Sequence, residues 1–305
     1  MMQKPVIAII GAGAVGSTAA YALMYTLSAE IVLIDLNEHK CNGEVQDLED
    51  AGSMSDGSTI RAGTIGDARQ ADIVVITAGI AQKPGQTRLE LLKTNYEIVG
   101  SIMQSMHPIK KSTIIIVVTN PVDILTRYVQ EISGLPNNQV FGSGTFLDTQ
   151  RLRCSLAEHF SINPSSIHAY VLGEHGDTQF VPWSTAMIGT APLCSFSIDE
   201  QALAAMAHKA QRKAYEIISC KGFTSFGIAS AVATYCEAII GDTKRVIPLS
   251  CFIEELSVCL SMPAVLGLRG IEQIVRPPFN AQEQEKLCAS VQVVREQYAE
   301  VTQKI

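Results

Sequence analysis

A glycine-rich turn between a strand and a helix constrains the fold of this chain more than any other feature. Gly11, Gly13 and Gly16 have the spacing GxGxxG, with Val15 inside it. The run Val6–Ile10 before the turn is apolar and β-branched, as in a buried strand, and the segment after it is helix-like. The first glycine permits a tight turn, the second lets a pyrophosphate approach the backbone, and the third lets helix and strand pack closely. The alternative is an ordinary glycine-rich turn.

An acidic residue after the next strand strengthens this pattern. Asp35 closes the apolar run Ile31–Ile34. A carboxylate at this position accepts hydrogen bonds from the adenosine ribose of a dinucleotide and repels a 2′-phosphate. We therefore expect the turn, including Val15, and Asp35 to bind NAD rather than NADP. The alternative for Asp35 alone is an acid in a turn at a strand end.

The first half of the chain alternates apolar strands with helical segments. Further strands are predicted at residues 73–77, 113–118 and 140–141. This alternation predicts an α/β fold with a doubly wound, Rossmann-type parallel sheet that is covered on both faces. Ligands of such sheets bind at the carboxyl ends of the strands, where Gly79 and Asn120 lie.

The pattern changes after Gly142. Helices are predicted at residues 147–160, 201–219, 226–240 and 281–301, with a strand at 167–172. Asn280 is the expected N-cap of the last helix. We predict an NAD-binding Rossmann domain over residues 1–142 and a second, mixed α/β substrate domain over residues 143–305.

Composition limits the class of protein. Hydrophobic residues make up 47 % of the 305 residues and charged residues 17 %, which is typical of a packed globular protein. The net charge of −7 argues against nucleic acid or an anionic membrane as the main partner. The eight cysteines include no Cys-x-x-Cys pair, which favours free thiols over disulfides or a metal site. With no signal-peptide pattern at the start, we expect a cytoplasmic protein.

A histidine in a glycine-flanked turn is the candidate for proton transfer. His175 lies in the run Gly173–Asp177, and its ordinary pKa lets it give and take a proton near neutral pH. Read singly, His175 could be a solvated histidine, Asp148 a helix cap, and Arg88 and Arg151 surface charges. Taken together and in this order, these residues and the glycine turn resemble the lactate/malate dehydrogenase superfamily, most closely its bacterial L-lactate dehydrogenases. The resemblance covers nearly the whole chain.

The resemblance implies a role for each candidate. His175 is the acid/base, Asp148 holds its other ring nitrogen, Arg151 clamps the substrate carboxylate, and Arg88 polarises the substrate carbonyl. Val118 and Asn120 line the nicotinamide side, and Asn120 also contacts the substrate. The implied activity is reversible, NAD-dependent hydride transfer between NADH and pyruvate, giving L-lactate in glycolysis and fermentation.

Two further positions bear on the substrate. Malate dehydrogenases of the superfamily usually carry arginine where this chain has Gln82, so a second substrate carboxylate would stay unpaired here. Thr224 matches the threonine usual in lactate enzymes. The alternatives are a malate or other 2-hydroxy-acid dehydrogenase, a dinucleotide-binding protein without turnover, and a structural protein with the same fold.

Arg153 and His168 match residues with which many bacterial lactate dehydrogenases bind fructose 1,6-bisphosphate between subunits. The resemblance therefore implies an allosteric effector site and a homotetramer or dimer. On a helix, Arg151 and Arg153 face opposite ways, so one can serve the substrate and the other a neighbouring subunit. The alternative is a surface arginine and an inward-facing strand histidine.

Overall fold

The computed structural model describes residues 4–54, 57–80 and 88–302. Its N-terminal part is built around six parallel strands. These are β1 (Val6–Ile10), β2 (Glu30–Ile34), β3 (Thr59–Ala62), β4 (Ile73–Ile76), β5 (Ile114–Val117) and β6 (Val140–Gly142). The helices between them are α1 (Ala14–Thr26), α2 (Glu38–Gly52), α3 (Ile65–Ala68), α4 (Arg88–Met106) and α5 (Val122–Ser133).

The strand order β3-β2-β1-β4-β5-β6 confirms the predicted doubly wound sheet. The order reverses between β1 and β4, and this is where ligands bind in open α/β sheets. Every residue of β4 and β5 is buried, because helices cover both faces. Such strands lack the polar alternation of a half-exposed sheet, as the sequence indicated.

The C-terminal part contains four long helices and six strands. Its helices are α6 (Phe146–Phe160), α7 (Glu200–Lys221), α8 (Phe226–Ile240) and α9 (Ala281–Thr302). Its strands are β7 (Ile167–His168), β8 (Met187–Ile188), β9 (Ala191–Pro192), β10 (Arg245–Ile253), β11 (Val258–Gly267) and β12 (Gly270–Ile274). At the start of α9, Asn280 Oδ1 accepts the Glu283 N–H at 2.9 Å, as predicted for a cap.

Strands β10 to β12 extend the large sheet instead of forming one of their own. β10 pairs antiparallel with β6 at Ser250 and Gly142, which gives a nine-stranded sheet. No strand is predicted from the sequence in this stretch. Pro248 and Pro263 argue against a strand, and the structure places them directly opposite each other. Neither has an N–H to donate, so the pair occupies a position where the ladder needs no hydrogen bond.

The strand predicted at residues 167–172 was wrong at residues 169–171, because β7 ends at His168 and Leu172 forms only an isolated bridge with Phe180. The next backbone groups bond to side chains of α6 instead of a neighbouring strand. Arg153 Nε donates to the Ala169 carbonyl at 3.0 Å, and Thr149 Oγ1 accepts the Val171 N–H at 2.9 Å. The chain therefore leaves the small β7-β8-β9 sheet early and is anchored to α6, the helix that carries the candidate site residues.

Two apolar clusters form the core. The larger follows the nine-stranded sheet and includes residues from both halves of the chain, such as Ile9 and Leu260. The smaller lies between α6, α7 and the small sheet, and contains Leu152, Leu156 and Val171. Each such side chain contributes about 1.5–3 kcal/mol on burial. Among the described helices, none is long and apolar enough to cross a membrane.

Candidate active site

The glycine turn has the geometry of a phosphate cradle. Gly11 has a φ of +113°, and a Cβ there would lie 2.7 Å from the Ala78 nitrogen. A Cβ on Gly16 would lie 1.8 Å from the Gly11 carbonyl oxygen, so helix and turn touch here. Around Gly13 nothing lies within 4 Å of the Cβ position. This open face at the N-terminus of α1, with its unpaired N–H groups, fits a dinucleotide pyrophosphate.

Asp35 lies beside this turn. Its Oδ2 accepts the Ala12 N–H at 2.7 Å, and its Oδ1 accepts the Asn37 N–H at 2.9 Å. Both carboxylate oxygens thus shape the turn, and each keeps a lone pair for another donor. Val15 is half-buried in the first turn of α1. The arrangement places an acid at the edge of the predicted cofactor site, and a ribose contact remains a prediction.

The carboxyl ends of β4 and β5 are neighbours in the sheet, on the other side of the β1–β4 reversal point from β2 and Asp35. Asn95 of α4 is 1 % exposed and ties the two ends together. Its Nδ2 donates to the Asn120 carbonyl at 2.7 Å and to the Ile80 carbonyl at 3.2 Å. Gly79 leaves room for this amide, since a Cβ there would lie 3.0 Å from Asn95 Oδ1. Asn95 is not predictable from the sequence, because one asparagine within a helical run carries no signal.

Three of the predicted residues, His175, Asp148 and Arg151, form one cluster. His175 Nδ1 lies 3.0 Å from Asp148 Oδ2, and Arg151 Nη1 donates to Asp148 Oδ1 at 3.1 Å. Asp148 and Arg151 are neighbours on one face of α6, three residues apart. The Asp148 side chain is 3 % exposed, whereas that of His175 is 30 % exposed. The cluster therefore has a buried acid and a histidine ring that reaches solvent.

The turn that carries His175 is fixed by glycine. Gly173 has a φ of +89°, and a Cβ there would lie 2.5 Å from Ser290 Oγ of α9. Its N–H and carbonyl both bond to Ser261 of β11, at 3.0 and 2.8 Å. The next residue, Glu174, donates its N–H to Ser290 Oγ at 3.2 Å. The turn is thus held by the sheet and by α9, and this defines where the His175 ring lies.

Charge around His175 favours its protonated form. Burial lowers the pKa of the imidazole, but attraction to Asp148, whose Oδ2 lies 3.0 Å from Nδ1, and attraction to Asp123 outweigh this effect. The nearby Arg151 lowers the pKa slightly. The result is a pKa above the ordinary 6.5. A ring held by Asp148 through Nδ1 keeps Nε2 available to donate a proton outward.

Asp123 is a further acid of the site that the sequence analysis did not identify. It lies in the first turn of α5, three residues after Asn120 in the sequence. Its Oδ2 accepts the His175 N–H at 2.7 Å, and it is 3 % exposed. An acid in the first turn of a helix is common because it interacts favourably with the helix dipole, so the sequence gives no separate signal.

Two of the predicted substrate-binding side chains lie outside the described part of the structure. Gln82 lies outside the described residues. Arg88 begins α4, but its side chain lies outside the described part. Thr224 is half-buried between α7 and α8. The first turn of α8 packs against α6, where a Cβ on Gly227 would lie 2.9 Å from the Leu147 side chain. Thr224 therefore lies three residues before Gly227, which contacts the start of α6.

The two predicted effector residues lie away from the cluster. Arg153 points to a different neighbour from Arg151, with its guanidinium 4.7 Å from the Tyr170 ring. It also donates to the Ala169 carbonyl. His168 is exposed on β7, so the alternative of an inward-facing strand histidine was wrong. Arg153 is half-buried and His168 is exposed, and Arg153 reaches the β7 end through the carbonyl of Ala169, the residue after His168.

Comparison with known proteins agrees with this geometry. Residues 6–142 match the model of the lactate/malate dehydrogenase NAD-binding domain, and residues 145–305 match that of its α/β C-terminal domain. L-lactate dehydrogenase A of Rhizopus oryzae is 46 % identical over 300 residues, covering 97 % of this chain and 92 % of that protein. An L-lactate dehydrogenase of Acetivibrio thermocellus is 40 % identical, covering 95 % of each chain.

A solved structure extends the likeness to three dimensions. It is a lactate dehydrogenase from a Medee basin deep-sea metagenome library, with a TM-score of 0.94 and 35 % sequence identity. The match covers 99 % of this chain and 100 % of the other. The predictions of the fold class, of NAD as the cofactor and of an NAD-dependent oxidoreductase are confirmed. The chain belongs to the lactate/malate dehydrogenase family.

Proposed function

We propose that this protein is an NAD-dependent L-lactate dehydrogenase, which interconverts pyruvate and L-lactate. The observation that carries the proposal is the cluster of His175, Asp148 and Arg151. Asp123 joins the main chain of His175 to the first turn of α5, just after Asn120 on the predicted nicotinamide side. We therefore assign proton donation to His175 and carboxylate binding to Arg151, at the carboxyl edge of the sheet where the cofactor is expected. The relatives with the same activity support this proposal.

The chain's own residues supply binding and proton transfer. The bound cofactor, held by the glycine turn and Asp35, supplies the hydride. Arg151 uses one N–H on Asp148, and its planar fork has further N–H groups to hold a substrate carboxylate. His175 donates its Nε2 proton to the carbonyl oxygen during reduction and accepts it back during oxidation. We assign to Arg88 the polarisation of that carbonyl, and to Asn120 and Thr224 contacts with the substrate.

The preference for pyruvate rests on Gln82. A neutral glutamine leaves the second carboxylate of oxaloacetate without a counter-charge, whereas the methyl group of pyruvate needs none. We expect kcat/KM for pyruvate to exceed that for oxaloacetate by roughly a hundredfold or more. NADH oxidation with each keto acid measures this ratio. Equal turnover of the two acids would overturn the lactate assignment.

A single substitution at Gln82 also tests the preference for pyruvate over oxaloacetate. Gln82→Arg supplies the missing counter-charge, so we expect it to reverse the preference toward oxaloacetate. Gln70→Arg, on the same nucleotide-binding half of the chain, is the control for an added positive charge and should leave the ratio unchanged. No activity with any keto acid, in a folded protein, would favour a dinucleotide-binding protein without turnover.

We also propose an effector site and an oligomer. Arg153 and His168 would bind the phosphates of fructose 1,6-bisphosphate where two subunits of a homotetramer or dimer meet. The support is that His168 is exposed and that the half-buried Arg153 contacts Tyr170 and the carbonyl of Ala169, the residue after His168. We further propose a cytoplasmic location, supported by eight cysteines that are all free.

A further inference from the structure

Asp123 is a buried carboxylate whose hydrogen-bond donors among the described residues are both neutral. Its Oδ2 accepts the His175 N–H at 2.7 Å, and its Oδ1 accepts the Ser250 hydroxyl at 2.5 Å. Within the described part of the chain, no lysine or arginine forms an ion pair with it. Burying a charge without a cationic partner destabilises a fold. A fold that keeps such a charge calls for an explanation.

The two hydrogen bonds do not supply that explanation. An asparagine at this position would have the same shape as Asp123 and could keep both bonds. Its Oδ1 would accept the His175 N–H, and its Nδ2 would donate to the Ser250 hydroxyl, which can act as an acceptor. Burial raises the pKa of Asp123 to about 6, so the group is mostly ionised at neutral pH. What an acid adds over an amide is therefore its negative charge.

The charge of Asp123 acts on His175. Among the described residues, the charged groups that act on the His175 ring are Asp148 and Arg151 from α6 and Asp123 from α5. Asp148 and Asp123 both raise the pKa of the imidazole against the effect of burial, and Arg151 lowers it. The other titratable groups near Asp123 are Glu174, Cys251 and Cys259. Glu174 raises the pKa of Asp123, and Asp123 in turn raises the pKa of each of the two thiols.

We infer that Asp123 is a positioning residue for proton transfer, a second acid that fixes the main chain of His175 and stabilises its imidazolium alongside Asp148. Ser250 supports this role, since its hydroxyl holds the second oxygen of Asp123 from β10. The inference rests on the proposed function, because the imidazolium is the species that reduces pyruvate. Asp148 sets the ring nitrogen and its tautomer, whereas Asp123 acts from the backbone side and contributes charge.

The test measures the titration of His175 directly. The protein is labelled with ¹³C at histidine Cε1, and its titration is followed by NMR without cofactor or substrate. His175→Asn identifies the resonance among the six histidines. We expect Asp123→Asn to lower the pKa of His175 by about half a unit to one unit. Asp47→Asn removes an exposed acid from α2 and is the matched control, with no shift expected.

Kinetics give a second reading of the same effect. In Asp123→Asn, the pH at which pyruvate kcat/KM falls and lactate kcat/KM rises should move down by the same amount as the NMR titration. A group that only supported the loop would lower activity at every pH and leave this midpoint in place. A His175 titration equal to that of the wild type in a folded Asp123→Asn protein would overturn the inference.

A second variant guards against a folding defect. Ser250→Ala removes one donor to Asp123 and leaves the His175 N–H in place. Asp123 then takes up a proton more easily, so the His175 pKa should shift in the same direction by a smaller amount. An unchanged or raised pKa in this variant would also contradict the inference. The NMR result stands without turnover, so a protein inactive on pyruvate would refute the proposed function and leave this test readable.

Discussion

At the scale of single residues, the central question is how one histidine remains protonated when its ring is partly enclosed. Burial alone would favour the neutral ring, which cannot donate a proton to a ketone. The structure counters burial with two acids, one at Nδ1 and one at the backbone N–H of His175. Within the described part of the chain, the cation that acts on the ring is Arg151, and its pairing with Asp148 limits its repulsion of the imidazolium.

This balance predicts opposite pH profiles for the two directions of the reaction. Reduction needs the imidazolium, so pyruvate kcat/KM should be level at low pH and fall as the pH rises through the His175 pKa, above 6.5. Oxidation needs the neutral ring, so lactate kcat/KM should rise over the same range. Asp148→Asn removes the stronger acid and should move both midpoints to lower pH by about one unit or more. Steady-state rates between pH 5 and pH 9 measure both profiles.

The same pH profiles can contradict the assignment of His175 as the proton donor and acceptor. If the pyruvate and lactate profiles respond to pH in the same direction, His175 is not the group that exchanges the proton. A His175→Asn protein should have lost both limbs of the profile while still binding NADH. Retention of NADH binding separates the chemical defect from a folding defect.

At the scale of elements, the sequence predicted those parts of the site that depend on local patterns. The glycine turn, Asp35 and the helix that carries Asp148 and Arg151 all lie where the pattern placed them. Contacts that join distant segments were not predictable. Asp123 meets His175 across 52 positions of sequence, and Asn95 meets Asn120 across 25. No local periodicity reports such a pair, because it depends on how the sheet and helices pack.

The strands of the C-terminal half show a second reason for failure. β10 and β11 each contain a proline, and local rules read proline as evidence against a strand. The two strands tolerate these prolines because Pro248 and Pro263 lie opposite each other, where the ladder needs no hydrogen bond. A local rule cannot predict this pairing. The segment after His168 fails for the opposite reason. Its apolar residues predict a strand, but side chains of α6 bond its backbone groups in place of a neighbouring strand.

The His175 turn gives a testable prediction at this scale. Gly173→Ala forces a side chain into a left-handed backbone and to within 2.5 Å of Ser290 Oγ. We expect a loss of stability of about 2–4 kcal/mol and a marked loss of kcat, since the turn must shift. Urea denaturation and steady-state kinetics measure the two effects. Gly189→Ala is the matched control, since that glycine has a φ of +57° but open space around it.

The control separates strain from crowding. Gly189→Ala should cost only about 1 kcal/mol and leave kcat unchanged, because it meets no neighbour and lies between β8 and β9. Equal effects of the two substitutions would mean that the packing of Gly173 against α9 does not define the His175 turn.

At the scale of the whole molecule, the proposed effector site predicts coupled changes in assembly and activity. Fructose 1,6-bisphosphate should lower the pyruvate KM and shift sedimentation toward the larger oligomer, because it neutralises positive charges that meet at a subunit interface. Arg153→Gln should abolish both responses and leave NADH binding intact. Arg269→Gln, which alters another exposed arginine, is the control and should keep both responses. A wild-type protein unaffected by the effector would make Arg153 and His168 structural.

The seam between β6 and β10 has a consequence for how such a chain can be recombined. The two family domains divide the sequence near residue 142, yet Gly142 and Ser250 are neighbours within one continuous sheet. Ser250 also holds the acid that contacts the His175 turn. A chimaera that joins the first half of one relative to the second half of another would therefore need to inherit both sides of this seam together. Exchange at the apparent domain border would otherwise disturb the histidine without altering any residue that touches substrate.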